Sequence, residues 1–392
     1  MTRRDSRWTV LRQQESSQVT HIELFFDVVY VLAVTQLTEL LLSRLTPLGT
    51  AQVAVLMLAV WWAWVDTAWI TNWFDPDRPV VRVMLIALIG VSLVMSSAIP
   101  EAYGERGLWF AGAYVTLEVG RCIFVVATLG EQPSLRDNFR RMLIWRLTSA
   151  PLWLVGGVVH GPARLGLWAA ALAIDTTAAV AGFYIPRVGR SRPADWAISG
   201  AHLAERARLF IIIALGESIL VTGSVFGDLA RDPPTLATFA ATFLATVALW
   251  WIYFDRSADA AQAVIDESDE PGRLGRSAYT YSHIPMVAGI IVTAVGDDLA
   301  LKHPTGAADT AVIASVLGGP ALFLIGYVLF KKAIFGTRPK THLTAAVVLL
   351  ALAPLGLVVD PLALSWLATL VVAATAVRST FVIASRPRPT NR

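Results

Sequence analysis

The chain has 392 residues, of which 55% are hydrophobic and only 16% are charged, and its formal net charge is +3. Soluble domains carry roughly 25% charged residues, whereas runs of about 20 apolar residues, each long enough to cross a bilayer, recur along this chain. The composition excludes an ordinary soluble domain and indicates a polytopic membrane protein of the all-α class. The basic residues lie between the apolar runs, which argues against nucleic acid as a partner. A single cysteine, Cys122, excludes a disulfide framework and a cysteine-based metal site.

Apolar runs and the polar breaks between them predict about twelve membrane helices. The fifth is the least regular, because Arg146 and Pro151 interrupt it. The basic N-terminus lacks a short apolar core with a cleavage site, so we expect no cleaved signal peptide. The predicted helices are 21–43, 51–73, 80–100, 107–129, 141–160, 166–186, 203–225, 236–256, 279–298, 310–332, 341–360 and 362–385.

Loop charges predict the orientation of these helices. The N-terminus, the even-numbered connections and the C-terminal tail contain 22 Lys and Arg residues, whereas the odd-numbered connections contain 5. Because Lys and Arg accumulate in cytoplasmic loops, this distribution predicts that both termini are cytoplasmic. The expected location is the inner (plasma) membrane, which the chain crosses several times.

The two halves of the sequence resemble each other. "WWAWVD" (Trp61 to Asp66) matches "WWIYFD" (Trp250 to Asp255), and "ELFFDVVYVLAVTQL" aligns with "ERARLFIIIALGESI". Six helices per copy is an even number, so both copies would have the same orientation in the membrane, as parallel repeats. The predicted organisation is a cytoplasmic segment at 1–20, a six-helix repeat at 21–186, a linker at 187–201, a second repeat at 202–385 and a tail at 386–392.

Several ionisable residues fall inside the predicted helices. Asp27 and Asp66 lie at similar depth, roughly 10 Å from the cytoplasmic ends of two adjacent helices, and Glu23 precedes Asp27 by one turn. Glu217 lies about 21 Å along its helix, beyond the midplane. Carboxylates at such depth by default mark an ion, proton or substrate path. The predicted pathway residues are His21, Glu23, Asp27, Asp66, His202, Glu205, Arg208, Glu217, Asp255 and His283.

A purely structural role is an alternative for many of these groups. His202, Glu205 and Arg208 share a helix face by steps of three residues, and the last two could form a plain ion pair. The sequence also favours structural pairs between Glu118 and Arg121, and between Arg146 and Asp175. Deep carboxylates resist this interpretation, because burying one costs about 2.5–3.5 kcal/mol even on the lenient insertion scale. Neither His21-x-Glu23 nor His202-x-x-Glu205 has the two-histidine zincin spacing, so we predict no metal site and no catalytic residue.

Four stretches carry a resemblance to a known family. "HIELFFDVVYVLAVTQL", "HLAERARLFIIIALGESIL", "LWWIYFD" and "YSHIPMVAGIIVTAVGDD" resemble the bacterial low temperature requirement A (LtrA) family across nearly the whole chain. The resemblance implies an integral membrane protein linked by name to growth in the cold. "FFDVVYVLAVTQL" is more loosely similar to the F-S-D first-helix signature of lysosomal-type potassium channels, but Phe26 replaces the Ser, and pore residues are not carried over.

These observations lead to three functional hypotheses. The first is an ion- or proton-coupled transporter or channel whose path is lined by the intramembrane carboxylates. The second is a membrane-embedded enzyme acting on a lipid or envelope precursor, and the third is a non-catalytic, stress-related membrane protein. The expected partners are the lipid bilayer, an inorganic cation or proton, and a second copy of the chain. The sequence does not specify a cofactor.

Overall fold

The protein is built from α-helices, and the part of the chain that the structure describes contains no β-strand. The structure, a computed structural model, describes residues 11, 18–129, 133–191, 198–254, 261, 263–265 and 267–384. The helices, named here in chain order, are α1 (His21–Ser43), α2 (Pro47–Trp73), α3 (Pro79–Ala98), α4 (Gly107–Thr128), α5 (Pro133–Val158), α6 (Pro162–Val180), α7 (Gly200–Asp228), α8 (Pro233–Tyr253), α9 (Pro271–Gly275), α10 (His283–Lys302), α11 (Thr310–Phe335), α12 (Lys340–Ala351) and α13 (Pro361–Ala384).

The predicted all-α membrane fold is confirmed, and each predicted span has a helix. Among the described residues, 11 helical segments are long and apolar enough to cross a membrane. One of them runs from Pro271 to Lys302 and joins α9 to α10 through a π-helical turn at Arg276–Tyr281. The remaining predicted span is α5, whose 26 residues include four arginines and an aspartate, so its composition alone does not mark it as a span. The two-repeat relation stays a prediction.

Helix starts follow local sequence rules. Many of the long helices begin with proline, which has no N–H to leave unpaired in the first turn. Side-chain caps include Thr46 Oγ1, which accepts from Gly49 N at 3.0 Å, Asp232 Oδ1, which accepts from Thr235 N at 2.9 Å, and Asp309 and Asp360, whose Oδ1 atoms accept from Val312 N and Ala363 N at 2.8 Å. These caps fix where the connections end and the apolar spans begin.

The chain divides into two compact units. Unit 1 comprises residues 1–40, 46–206 and 266–275, and unit 2 comprises residues 41–45, 207–265 and 276–392. The first two turns of α7 belong to unit 1, and the rest of that helix belongs to unit 2.

The core of unit 1 is rich in large aromatic side chains. Trp61, Trp64, Trp153 and Trp168 are each at most 1% exposed. Trp153 packs against Tyr114 with ring centroids 4.4 Å apart, which joins α4 to α5. Because α2 is buried along most of its length, its polar side chains face other helices rather than lipid.

The core of unit 2 depends on close approach between α10 and α11. A Cβ atom on Gly289 would lie 2.5 Å from Phe323 N, and one on Gly319 would lie 2.6 Å from Thr293 N. Only glycine allows the two backbones to come this near, as is common between membrane helices. Within the same unit Trp250 and Trp251 are 44% and 49% exposed, unlike the buried tryptophans Trp61 and Trp62 with which the sequence aligns them.

Candidate functional site

Two groups of buried charges lie in unit 1. The first, the Glu23–Arg206 cluster, consists of Glu23, Asp27, Trp64, His202 and Arg206. Glu23 and Asp27 are one turn apart on α1, and His202 and Arg206 are one turn apart at the start of α7. His202 Nε2 lies 2.8 Å from Glu23 Oε1, and Arg206 Nη2 donates to Asp27 Oδ1 at 2.6 Å. All four charged or titratable side chains are at most 1% exposed.

Neighbouring polar groups orient the histidine of this cluster. Asn72 Nδ2 lies 3.3 Å from His202 Nδ1 and also donates to Ser199 O at 2.9 Å, while Ser199 N donates to Asn72 Oδ1 at 2.8 Å. An amide donor facing Nδ1 fits the tautomer in which Nε2 carries the proton and donates to Glu23. The other oxygen of Glu23 accepts from both the backbone N–H and the hydroxyl of Thr20, each at 2.9 Å.

The two oxygens of Asp27 have different surroundings. Oδ1 accepts from Trp64 Nε1 at 2.8 Å and from Arg206 Nη2. Oδ2 is buried, and no hydrogen-bond donor meets it within the described residues. The Arg206 guanidinium also lies over the rings of Trp64 and Phe26, 5.8 and 5.9 Å from their centroids. Asp27 is therefore held firmly through one oxygen only.

The second group, the Arg146 cluster, consists of Asp66, Glu118, Arg121, Arg146 and Asp175. Its centre is the Arg146 guanidinium on α5, which contacts three carboxylates with three different nitrogens. Nε lies 2.8 Å from Glu118 Oε2, Nη1 lies 2.9 Å from Asp175 Oδ1, and Nη2 contacts Asp66 Oδ2. One residue thus ties α2, α4 and α6 to α5.

Arg121 supplies the second positive charge of the Arg146 cluster. It pairs with Glu118 one turn earlier on α4 and approaches Asp66 Oδ2 at 3.5 Å. Its Nη1 also donates to Ala63 O at 2.9 Å and to Thr67 Oγ1 at 2.8 Å, both on α2. These contacts fix Arg121 against α2, and its side chain is fully buried.

Asp175 is held by neutral donors as well. Ser149 Oγ donates to its Oδ1 at 2.7 Å, and Trp153 Nε1 lies 3.4 Å from its Oδ2. The predicted pairs Glu118–Arg121 and Arg146–Asp175 are therefore confirmed as contacts, but they form parts of one larger network.

Among the described residues, both clusters contain more carboxyl groups than guanidinium groups. The Arg146 cluster contains three carboxylates and two guanidiniums. The Glu23–Arg206 cluster contains two carboxylates and one guanidinium, together with a histidine whose contacts fit the neutral form. A buried carboxylate without a compensating charge is costly in a membrane span.

His283 lies in unit 2 and directly follows the π-helical turn. Its Nδ1 lies 2.8 Å from Ala278 O, five residues earlier, and its Nε2 lies 2.8 Å from the Tyr253 hydroxyl. Nδ1–H therefore donates to the carbonyl, and in the neutral ring Nε2 accepts from the Tyr253 hydroxyl. Tyr279 and Phe330 surround the ring with centroids 5.6 and 5.7 Å away.

The structure separates several residues that the sequence grouped together. His21 is exposed and lies outside the Glu23–Arg206 cluster. Asp66 does not complete the cluster around Asp27, because it lies in the Arg146 cluster instead. Glu205 and Arg208 are half-buried, whereas Arg206 between them is the residue that pairs with α1.

The other predicted residues have varied positions. Glu217 is 1% exposed on α7 in unit 2, as its depth predicted. Asp255 lies outside the described residues. Asp297 on α10, which the sequence analysis did not select, is buried and accepts from Ser218 Oγ at 2.8 Å. Across the described residues, no group of three or more His, Cys, Asp or Glu side chains is arranged to hold a metal ion.

Fold and site together define a polytopic helical membrane protein with a buried, charged interior. The family described as Bacterial low temperature requirement A protein (LtrA) matches residues 18–377, and the chain belongs to this family. The chain is also similar to "Uncharacterized protein RA0937" of Rhizobium meliloti (strain 1021). The two are 36% identical over 346 residues, which cover 87% of this chain and 84% of that protein. No solved structure matches the chain.

Proposed function

We propose that this protein is a proton-coupled transporter or channel, and that the buried clusters of unit 1 carry the exchangeable protons. The observation that carries the proposal is the surplus of carboxylates over guanidiniums in both clusters. Arg146 reaches all three acidic partners of its cluster, so guanidinium nitrogens occupy the space where a metal cation would bind. A proton needs no such space and neutralises the same surplus charge.

In the Glu23–Arg206 cluster the proton is best placed on Asp27. Both oxygens of Glu23 already accept hydrogen bonds or ion pairs, whereas Oδ2 of Asp27 meets no donor in the described part of the chain. A proton on Oδ2 leaves the bonds from Trp64 and Arg206 to Oδ1 intact. Its release would leave the cluster with a net negative charge, which a neighbouring site or solvent must balance.

Tyr30 lies beside the Glu23–Arg206 cluster on α1, three residues after Asp27. Its side chain is buried, and its hydroxyl lies 3.3 Å from Ser92 Oγ on α3. Hydroxyl groups can both donate and accept, so this pair can relay a proton.

The proposed activity is tested with purified protein in sealed proteoliposomes. Capacitive currents are recorded on a solid-supported membrane while solutes are pulsed across a pH gradient. We expect a solute whose current changes sign or amplitude with the direction of that gradient. Release of a chemical product without any gradient would instead indicate the membrane-embedded enzyme, and the absence of charge movement for every solute would contradict the proposal.

We also propose that the protein lies in the inner membrane and that both of its termini face the cytoplasm. With buried Cys122 replaced, Thr50→Cys, His160→Cys and Thr305→Cys should react with an impermeant thiol reagent added outside intact cells, since all three positions are exposed. Thr337→Cys, in an even-numbered connection, is the matched control and should react only after permeabilisation. The opposite pattern would overturn the orientation.

A further inference from the structure

We infer that unit 2 contains a binding site for a monovalent cation of the sodium class, formed by Asp297, Ser218, Thr246 and Thr222. The site is separate from the proton-binding clusters of unit 1 and goes beyond the proposed function. Three helices contribute to it: α7 supplies Ser218 and Thr222, α8 supplies Thr246, and α10 supplies Asp297.

A chain of oxygen atoms links these three helices. Ser218 Oγ donates to Asp297 Oδ2 at 2.8 Å, and Thr246 Oγ1 lies 3.2 Å from Ser218 Oγ. Thr246 Oγ1 also lies 3.2 Å from Thr242 O, which brings a backbone carbonyl to the same place. Carboxylate, hydroxyl and carbonyl oxygens are the ligands that hard cations prefer.

Asp297 is the buried carboxyl group of this site. It is 5% exposed, and within the described residues no Lys or Arg lies within ion-pair distance of it. Its neighbour Asp298 differs, because Lys302 Nζ lies 2.8 Å from Asp298 Oδ1. A carboxylate buried in a membrane span requires compensation, and a single negative charge is balanced by one monovalent cation.

Thr222 is an independent sign of a missing ligand. Its side chain is 3% exposed, yet its hydroxyl has no hydrogen-bond partner among the described residues. Buried hydroxyl groups are normally paired. Thr222 follows Ser218 by one helical turn and therefore lies on the same face of α7. Glu217 lies about 100° around the helix from Ser218.

The size of the site favours a small ion. Ser218 Oγ is in direct hydrogen-bond contact with Asp297 Oδ2 and Thr246 Oγ1, at 2.8 and 3.2 Å, so a bound ion must separate these oxygen atoms, and a small ion requires the smaller separation. One carboxylate among neutral oxygens also disfavours a divalent ion, whose second charge would stay uncompensated in the buried site.

The test uses thermal unfolding of the full-length purified protein, followed by tryptophan fluorescence. Chlorides of sodium, lithium, potassium and choline are compared at equal ionic strength and pH. Because a ligand that binds only the folded state raises the midpoint, we expect Tm in saturating sodium to exceed Tm in choline by about 2 °C or more. Equal Tm values of the unmodified protein in sodium and in choline would overturn the inference.

Variants assign the effect to the site. Asp297→Asn and Ser218→Ala should remove the sodium-dependent shift, and Thr222→Val should raise the sodium concentration needed for half of it by about tenfold. Asp298→Asn, the matched control, should keep the shift. A sodium-dependent shift in Tm that persists in Asp297→Asn would contradict the assignment. A Tm that changes with pH but not with sodium would also contradict it, because the site would then bind only a proton.

Discussion

Arg146→Gln is expected to destabilise the protein by roughly 3–5 kcal/mol, the usual effect of removing one partner from a buried ion-pair network. The variant leaves Asp66, Glu118 and Asp175 without the guanidinium that contacts all three. The net charge of the Arg146 cluster then becomes more negative by one. Thermal unfolding in detergent, followed by the intrinsic tryptophan signal, measures the loss.

Two further variants separate charge from packing in this cluster. Arg140→Gln is the control on the same helix, because Arg140 pairs with Asp137 at 3.2 Å with both side chains about half exposed. Such a surface pair contributes about 0–1 kcal/mol. Arg146→Gln combined with Asp175→Asn restores the original net charge and should recover part of the stability. A loss for Arg146→Gln no larger than that for Arg140→Gln would refute the central role of Arg146.

Asp27→Asn is expected to leave the protein folded and to reduce proton-coupled currents by about tenfold or more, as the loss of an acid–base group typically does. The amide oxygen can still accept from Trp64 and Arg206, so the local geometry is preserved. The amide cannot bind or release the proton that we assign to Oδ2. Solid-supported-membrane currents, normalised to the amount of folded protein, measure this effect.

The matched control for this variant is Asp77→Asn. Asp77 is exposed and pairs with Arg82 at 2.9 Å, so its replacement should change neither folding nor currents. If Asp27→Asn shows normal currents with normal dependence on pH, Asp27 is a structural residue and the proton path lies elsewhere.

Much of the fold could be predicted from the sequence, because lipid imposes long apolar helices. Helix α1 has the predicted bounds, and α4 and α11 begin at the predicted residues. The larger differences are at α12, which ends at Ala351 instead of 360, and at α5, which begins at Pro133 instead of 141. Charged residues there shorten the apolar run but do not stop the helix.

The candidate site could be predicted only in part. Depth along a helix identified Asp27 and Asp66, but depth does not determine which face a residue occupies. Trp64 faces Asp27, and Asp66, two residues later on α2, therefore faces a different set of helices. Arg206 was not predicted, because steps of three residues from His202 lead to Glu205 and Arg208. The four-residue spacing of Glu23 and Asp27 matches that of His202 and Arg206.

The contacts of Asp297 could not be predicted from the sequence. Its hydrogen-bond partner is the Ser218 hydroxyl on α7, which in turn accepts from Thr246 Oγ1 on α8. Serine and threonine are common in membrane helices, where they often bond to their own backbone, so their presence does not predict contact with a particular carboxylate. Only the packing of α7, α8 and α10 brings these groups together.

The central claim is that a carboxyl group of the Glu23–Arg206 cluster holds an exchangeable proton at neutral pH. Infrared spectroscopy of the purified protein tests it directly, because a protonated carboxyl group has a C=O absorption that ionised carboxylates and amides lack. We expect the unmodified protein to show such a band, to shift it in D₂O, and to lose that component in Asp27→Asn while Asp77→Asn retains it. Identical spectra for the unmodified protein and Asp27→Asn in this region would contradict the account.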